Sequence, residues 1–158
     1  MTLGGVNTYT GKTAINGGTL SIAADSALGA APGALVADQL SFNNGTLEVT
    51  ATTTLSSTRG ITLNGVAAIS STAGTTTIGG PIEGGFALSL SGTGNFVVGG
   101  TVGDTTPLSS LTANAAGSTV VNTSVVKTSG AQTYNDAGDV GHEHDADRQY
   151  GELQQHFG

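Results

Sequence analysis

The sequence predicts an all-β chain wound as a solenoid of roughly six rungs, followed by an atypical tail. Three observations predict it. Strand-length runs recur between Gly- and Asn-rich turns, similar triplets return at a spacing of roughly 20 to 27 residues, and the core material is narrow. Only seven aromatics occur, Tyr9, Phe42, Phe86, Phe96, Tyr134, Tyr150 and Phe157, and there is no Trp. A sandwich or barrel fills its middle with several large side chains, whereas a thin stack of Val, Ile, Leu and Ala suits stacked coils.

Residues 19–22, 39–42, 46–49, 61–63, 87–90, 95–98, 119–121 and 123–126 read as strands. Each run has the length of a strand and is too short for a helix. Asn16-Gly17-Gly18, Asn43-Asn44-Gly45, Asn64-Gly65, Gly79-Gly80 and Gly99-Gly100 punctuate them as turns. Glycine and asparagine accept the backbone conformations that tight bends require. Gly18-Thr19-Leu20 returns as Gly45-Thr46-Leu47, and Thr52-Thr53-Thr54-Leu55 returns as Thr75-Thr76-Thr77-Ile78. Leu88 and Leu111, like Val98 and Val121, share that second spacing. The one departure is 23–39, rich in Ala and Gly around Pro32, which reads as a loop or short helical excursion.

Composition removes several functions. Four basic residues against eleven acidic ones give a net charge of −7, so neither nucleic acid nor an anionic membrane surface is expected as partner. No window approaches the roughly 18 unbroken apolar residues of a membrane span. Cysteine is absent, which excludes disulfides and thiolate metal sites. Positions 1–137 also lack histidine, so no Ser-His-Asp or Cys-His set forms there. Their acids, Asp25, Asp38, Glu48, Glu83, Asp104 and Asp136, are scattered singly. Asp38 and Glu48 alone could meet on adjacent rungs, and two solvated surface acids are the simpler reading. Lys12, Arg59 and Lys127 are too few and dispersed for the acid-and-base clusters of polysaccharide-cleaving β-helices. The Gly-rich pieces lack phosphate-loop Lys and dinucleotide spacing, so they are turns.

Asn7-Thr8-Tyr9-Thr10-Gly11, then Ile15-Asn16-Gly17-Gly18-Thr19-Leu20 and Ser26-Ala27-Leu28-Gly29, resemble the autotransporter-associated β-strand repeat. Residues 128–137, Thr-Ser-Gly-Ala-Gln-Thr-Tyr-Asn-Asp-Ala, resemble repeats of filamentous-haemagglutinin-like exoproteins. The resemblance covers most of positions 3–137 and carries no catalytic residue. It implies a right-handed parallel β-helix on a bacterial surface. The opening Met-Thr-Leu-Gly-Gly-Val has neither the basic nor the apolar region of a signal peptide. An extracellular placement therefore requires a longer precursor.

The repeat region is expected to span 1–137 and the tail 138–158. The tail holds all three histidines and five of the eleven carboxylates, a break in composition. Three readings arise. His142, His144 and Asp145 are the only metal-ligand candidates, since imidazoles at i and i+2 share one side of a strand. Tyr150, Leu153 and Phe157 have helical spacing and can cover an open rod end. The third reading is a shift of reading frame near Ala137. Back-translated and read one nucleotide later, the tail admits a Thr- and Asn-rich sequence that continues the body's rhythm, and the DNA sequence decides it.

The expectation is a structural or adhesive stalk segment without catalysis or cofactor. Its partners would be host or cell-surface glycans or proteins and the neighbouring rungs of a longer chain. A carbohydrate-active β-helix fragment is the alternative from another class. The two Thr triplets raise an ice-binding or other ligand-binding solenoid as a third.

Overall fold

The computed structural model describes residues 1–136 and 139–140. The chain climbs in coils. The first carries β1 (Thr13–Ile15) and β2 (Gly18–Ile22), then a 3₁₀ helix, Asp25–Leu28, where later coils have a third strand. The second has β3 (Val36–Phe42), β4 (Gly45–Val49) and β5 (Thr53–Leu55). The third has β6 (Arg59–Leu63), β7 (Ala67–Ser71) and β8 (Thr75–Ile78). The fourth has β9 (Ile82–Glu83), β10 (Ala87–Gly92) and β11 (Asn95–Val98). The fifth and sixth carry β12 (Ser110–Ala115) with β13 (Thr119–Val121), and β14 (Gln132–Tyr134) with β15 (Asp139–Val140).

Equivalent strands of successive coils pair in parallel, which builds three sheets, β1-β3-β6-β9, β2-β4-β7-β10-β12-β14 and β5-β8-β11-β13-β15. The fold is the expected all-β solenoid. Among the described residues the second sheet counts six strands and the first four, so the solenoid has about four full turns where roughly six rungs were expected. After β9 that first face thins to single bridges, Ile82↔Val102 and Val102↔Val126. About four turns are thus framed by strands on it.

Self-similarity in the sequence becomes register in the structure. Gly18, Thr19 and Leu20 lie opposite Gly45, Thr46 and Leu47. Thr53, Thr54 and Leu55 lie opposite Thr76, Thr77 and Ile78. Leu88 faces Leu111, and Val98 faces Val121. In-register parallel coils place like beside like, because each coil must repeat the inward and outward parity of its neighbour. The inward residues, among them Phe42, Leu47, Val49, Ile69, Ile78 and Phe96, form one continuous buried column. Burying each such side chain contributes about 1.5–3 kcal/mol.

Residues 123–126, expected as a strand, contribute only the bridge at Val126. The reason lies one coil below. Val102, between Gly99-Gly100 and Gly103, offers a single paired residue: its amide donates to Val125 O (2.9 Å) and its carbonyl accepts from Lys127 N (2.8 Å). The departure at 23–39 is real but shorter. β3 already begins at Val36, and its pairing with β6 shifts register between Val36 and Leu40.

The corner between the third and first sheets is made of glycine. A Cβ on Gly60 would lie 2.6 Å from the Ala37 backbone; one on Gly80 would strike the Arg59 carbonyl, and one on Gly100 the Gly80 carbonyl. Here the coils touch backbone to backbone, and only hydrogen fits between them.

Candidate functional site

Among the described residues, the most elaborate polar arrangement is built on Arg59. Its side chain is 1% exposed, at the start of β6. Nε donates to Asp25 Oδ1 (2.9 Å) and Nη2 to Asp25 Oδ2 (3.1 Å), a bidentate grip. Nη1 donates to Leu28 O (3.0 Å) and Nη2 also to Gly29 O (3.1 Å). Ser56 N adds a longer hydrogen bond to Asp25 Oδ1 at 3.3 Å. The guanidinium therefore satisfies both the acid at the start of the 3₁₀ helix and two carbonyls at its end. The helix sits where a strand would otherwise precede β5, and Thr53 Oγ1 donates to Ala23 O (3.1 Å) beside it. In this way an excursion of the first coil covers the edge of the third sheet, an edge that would otherwise invite pairing with another chain. With these donors occupied, Arg59 is a clamp rather than a substrate-binding cation.

The other two basic residues of the body also reach about one coil away. Lys12 Nζ meets Asp38 Oδ2 at 2.6 Å, and Lys127 Nζ meets Asp104 Oδ1 at 2.9 Å. The Lys12 hydrogen bond, with its charge, holds the Asp38 carboxyl below the usual carboxylate range. Glu83 accepts from the amides of Thr105 (3.1 Å) and Thr106 (2.7 Å), so it fastens a turn of the next coil. Asp38 and Glu48, the pair that adjacency could have joined, stand on different sheets of the same coil, and Asp38 is taken by Lys12.

Towards the sixth coil the interior turns polar. The Thr119 hydroxyl donates to Asp136 Oδ2, and among the described residues Asp136 Oδ1 has no hydrogen-bond partner. Tyr134 OH donates to Gln132 Oε1 (3.3 Å), and burial, with the charge of Asp136, pushes its phenol up to about 12. The threonine triplets are split by strand parity. Thr53 and Thr76 are buried, which leaves Thr52 and Thr54 facing outward beside Thr75 and Thr77, with Thr75 N donating to Thr52 Oγ1 (3.3 Å). The outer face of the second sheet carries Thr46, Ala68, Ser89 and Thr112 in register, a small-residue surface with Glu48 beside it.

Among the described residues no group of three or more His, Asp or Glu converges to hold a metal ion. His142, His144 and Asp145 lie outside the described residues, as does most of the 138–158 tail. Among the described residues no helix is long and apolar enough to cross a membrane. Arg59 is the structural clamp that sequence reasoning passed over. Its signal was parity: it alternates with Ile61 and Leu63, both buried, so an inward arginine needed an inward acid.

No protein-family model matches the chain, and no solved structure matches it. Over 85 residues, 53% of its length, the chain is 41% identical to the adhesin BmaC autotransporter of Brucella suis biovar 1 (strain 1330). It spans about 2% of that protein's length.

Proposed function

We propose that this chain is a length of rigid stalk in a bacterial surface adhesin, carried outside the cell as part of a longer polypeptide. The observation behind this reading is the in-register stacking of coils: a column of inward aliphatic side chains, with cross-coil ion pairs at Lys12–Asp38, Arg59–Asp25 and Lys127–Asp104. Such a rod transmits position. Each coil adds ~4.8 Å of length. Small hydroxyl-bearing faces leave room for contact with glycans or proteins along its side, and similarity to an adhesin supports that role. Catalysis has no place in the proposal.

Two measurements test it. Small-angle scattering should show the particle lengthen by about 5 Å along one axis when one coil is duplicated. Beads coated with the chain should bind host-cell or matrix surfaces more than beads coated with a charge-matched globular protein. An added coil that leaves the length unchanged refutes the stalk, equal retention refutes adhesion, and turnover of a polysaccharide by the pure chain refutes both.

A further inference from the structure

Phe86 stands apart from the phenylalanines of the core. Phe42 and Phe96 are fully buried, while Phe86 is 42% exposed at the corner between β9 and β10. Strand parity would align it with Leu88 and Leu90, both buried. The chain is still turning there: Gly84 has φ +127°, and open space lies where a Gly85 side chain would stand. The coils on either side add little bulk. Ser109 N donates to Phe86 O (3.1 Å), which places a serine above the ring. The pairing of Leu88 with Ala67, counted back two residues, places Gly65 below it. Val66, 55% exposed, follows Gly65 and extends the apolar ledge. Beside the ledge the second sheet presents a low floor that carries hydroxyls, with Ala87, Ser89, Ser110 and Thr112 on its outer face. In the described strands of that sheet the one charged residue is Glu48 on β4, two coils below β10.

We propose that this corner binds a neutral hexose glycan, with one pyranose stacked on Phe86 and its hydroxyls hydrogen-bonded to Ser89 and Ser110. The electron-rich face of an aromatic ring attracts the weakly positive C–H face of a sugar. Serine hydroxyls both donate and accept, which suits the mixed donors and acceptors on a sugar's rim. A protein partner asks for something else: a cluster of large anchoring side chains and about 1,200 Å² or more of buried surface. One ring and one valine among alanines and serines offer no such cluster. An acidic glycan meets a chain of net charge −7, with Glu83 three residues before Phe86. The proposal deepens the adhesive half of the stalk reading, on which it rests, by naming the place and the ligand class.

The test presents the full chain to an array of neutral hexose oligosaccharides with sialylated and sulphated ones beside them, then titrates the neutral oligosaccharide that binds best. Binding should be confined to neutral sugars. Phe86→Ala should weaken it at least about tenfold, and Phe86→Trp should keep it. Ser110→Lys, which raises bulk on the floor, should weaken it as well, while Tyr9→Ala, at another exposed ring, should leave it unchanged. The melting temperature of Phe86→Ala should stay within about 3 °C of the parent, so that lost binding is not lost folding. No neutral oligosaccharide bound, binding indifferent to Phe86, or preference for the acidic sugars overturns the proposal. So does Phe86-dependent bead retention that survives periodate oxidation of the cell-surface sugars, because the partner would then be a protein. If coated beads adhere equally with and without Phe86, this inference fails and the adhesive reading stands. If an oligosaccharide binds at Phe86 while the beads do not adhere, the adhesive reading fails and this site stands.

Discussion

Arg59 holds Asp25 by two hydrogen bonds, 2.9 and 3.1 Å, although 34 positions separate them. That is longer than the 27 residues between Leu20 and its partner Leu47 in the widest coil, so the pair spans more than one turn of the rod. Asp25→Ala strands a buried guanidinium and should cost about 3–5 kcal/mol in chemical denaturation. The double variant Asp25→Leu with Arg59→Met should recover most of that loss. Losses that simply add would show that no coupling exists.

The glycine corner gives a steric prediction. Gly100→Ala drives a methyl into the Gly80 carbonyl and should cost about 1–3 kcal/mol through forced separation of the coils. Gly33→Ala, where nothing lies within 4 Å, should stay within roughly 0.5 kcal/mol of the parent. Equal melting temperatures for the two variants would show that the coils have slack at that corner.

Strand parity separates two aliphatic residues. Leu47 is fully buried between Leu20 and Ile69, and Leu47→Ala should cost about 2–5 kcal/mol. Val97 faces outward on β11, and Val97→Ala should cost under about 1 kcal/mol. Urea midpoints of the two variants check the contrast.

Alkali tests Tyr134. Its phenol ionises at about 12 in the fold against 10 when exposed, mainly because burial disfavours the phenolate and secondarily through Asp136. The sign follows: the folded state favours the protonated form, so this stability is fully present below pH 10 and is lost as pH climbs towards 12. Roughly 2–3 kcal/mol is at stake. Tyr134→Phe should flatten the fall in melting temperature between pH 10 and 12, and an unchanged slope would assign the alkaline loss to other groups.

Much of the fold was legible because a solenoid writes its register into its sequence. Gly18-Thr19-Leu20 and Gly45-Thr46-Leu47 look alike since they face the same neighbours from the same corner. Residues 123–126 misled because Val and Thr are strand formers anywhere, while the ladder depends on the partner coil, which offers Val102 alone. The start of β3 at Val36 was hidden by a register shift that composition does not mark. The Arg59 clamp escaped a search for clustered charges because its acid lies more than a coil away, and only inward parity linked them.

The thinning of the first sheet after β9 has a mechanical consequence. The second and third faces keep strand ladders up to β14 and β15, while among the described residues the remaining face is held by the bridges at Val102 and Val126 and by side chains, Glu83 on the Thr105 and Thr106 amides and Lys127 on Asp104. A shaft laddered on two sides and joined by bridges and side chains on the third has a softer axis. A pull across the fourth to sixth coils would make it flex about that seam like a strip hinge before any ladder tore, so the rod would yield to lateral load in one chosen direction and resist it in the others.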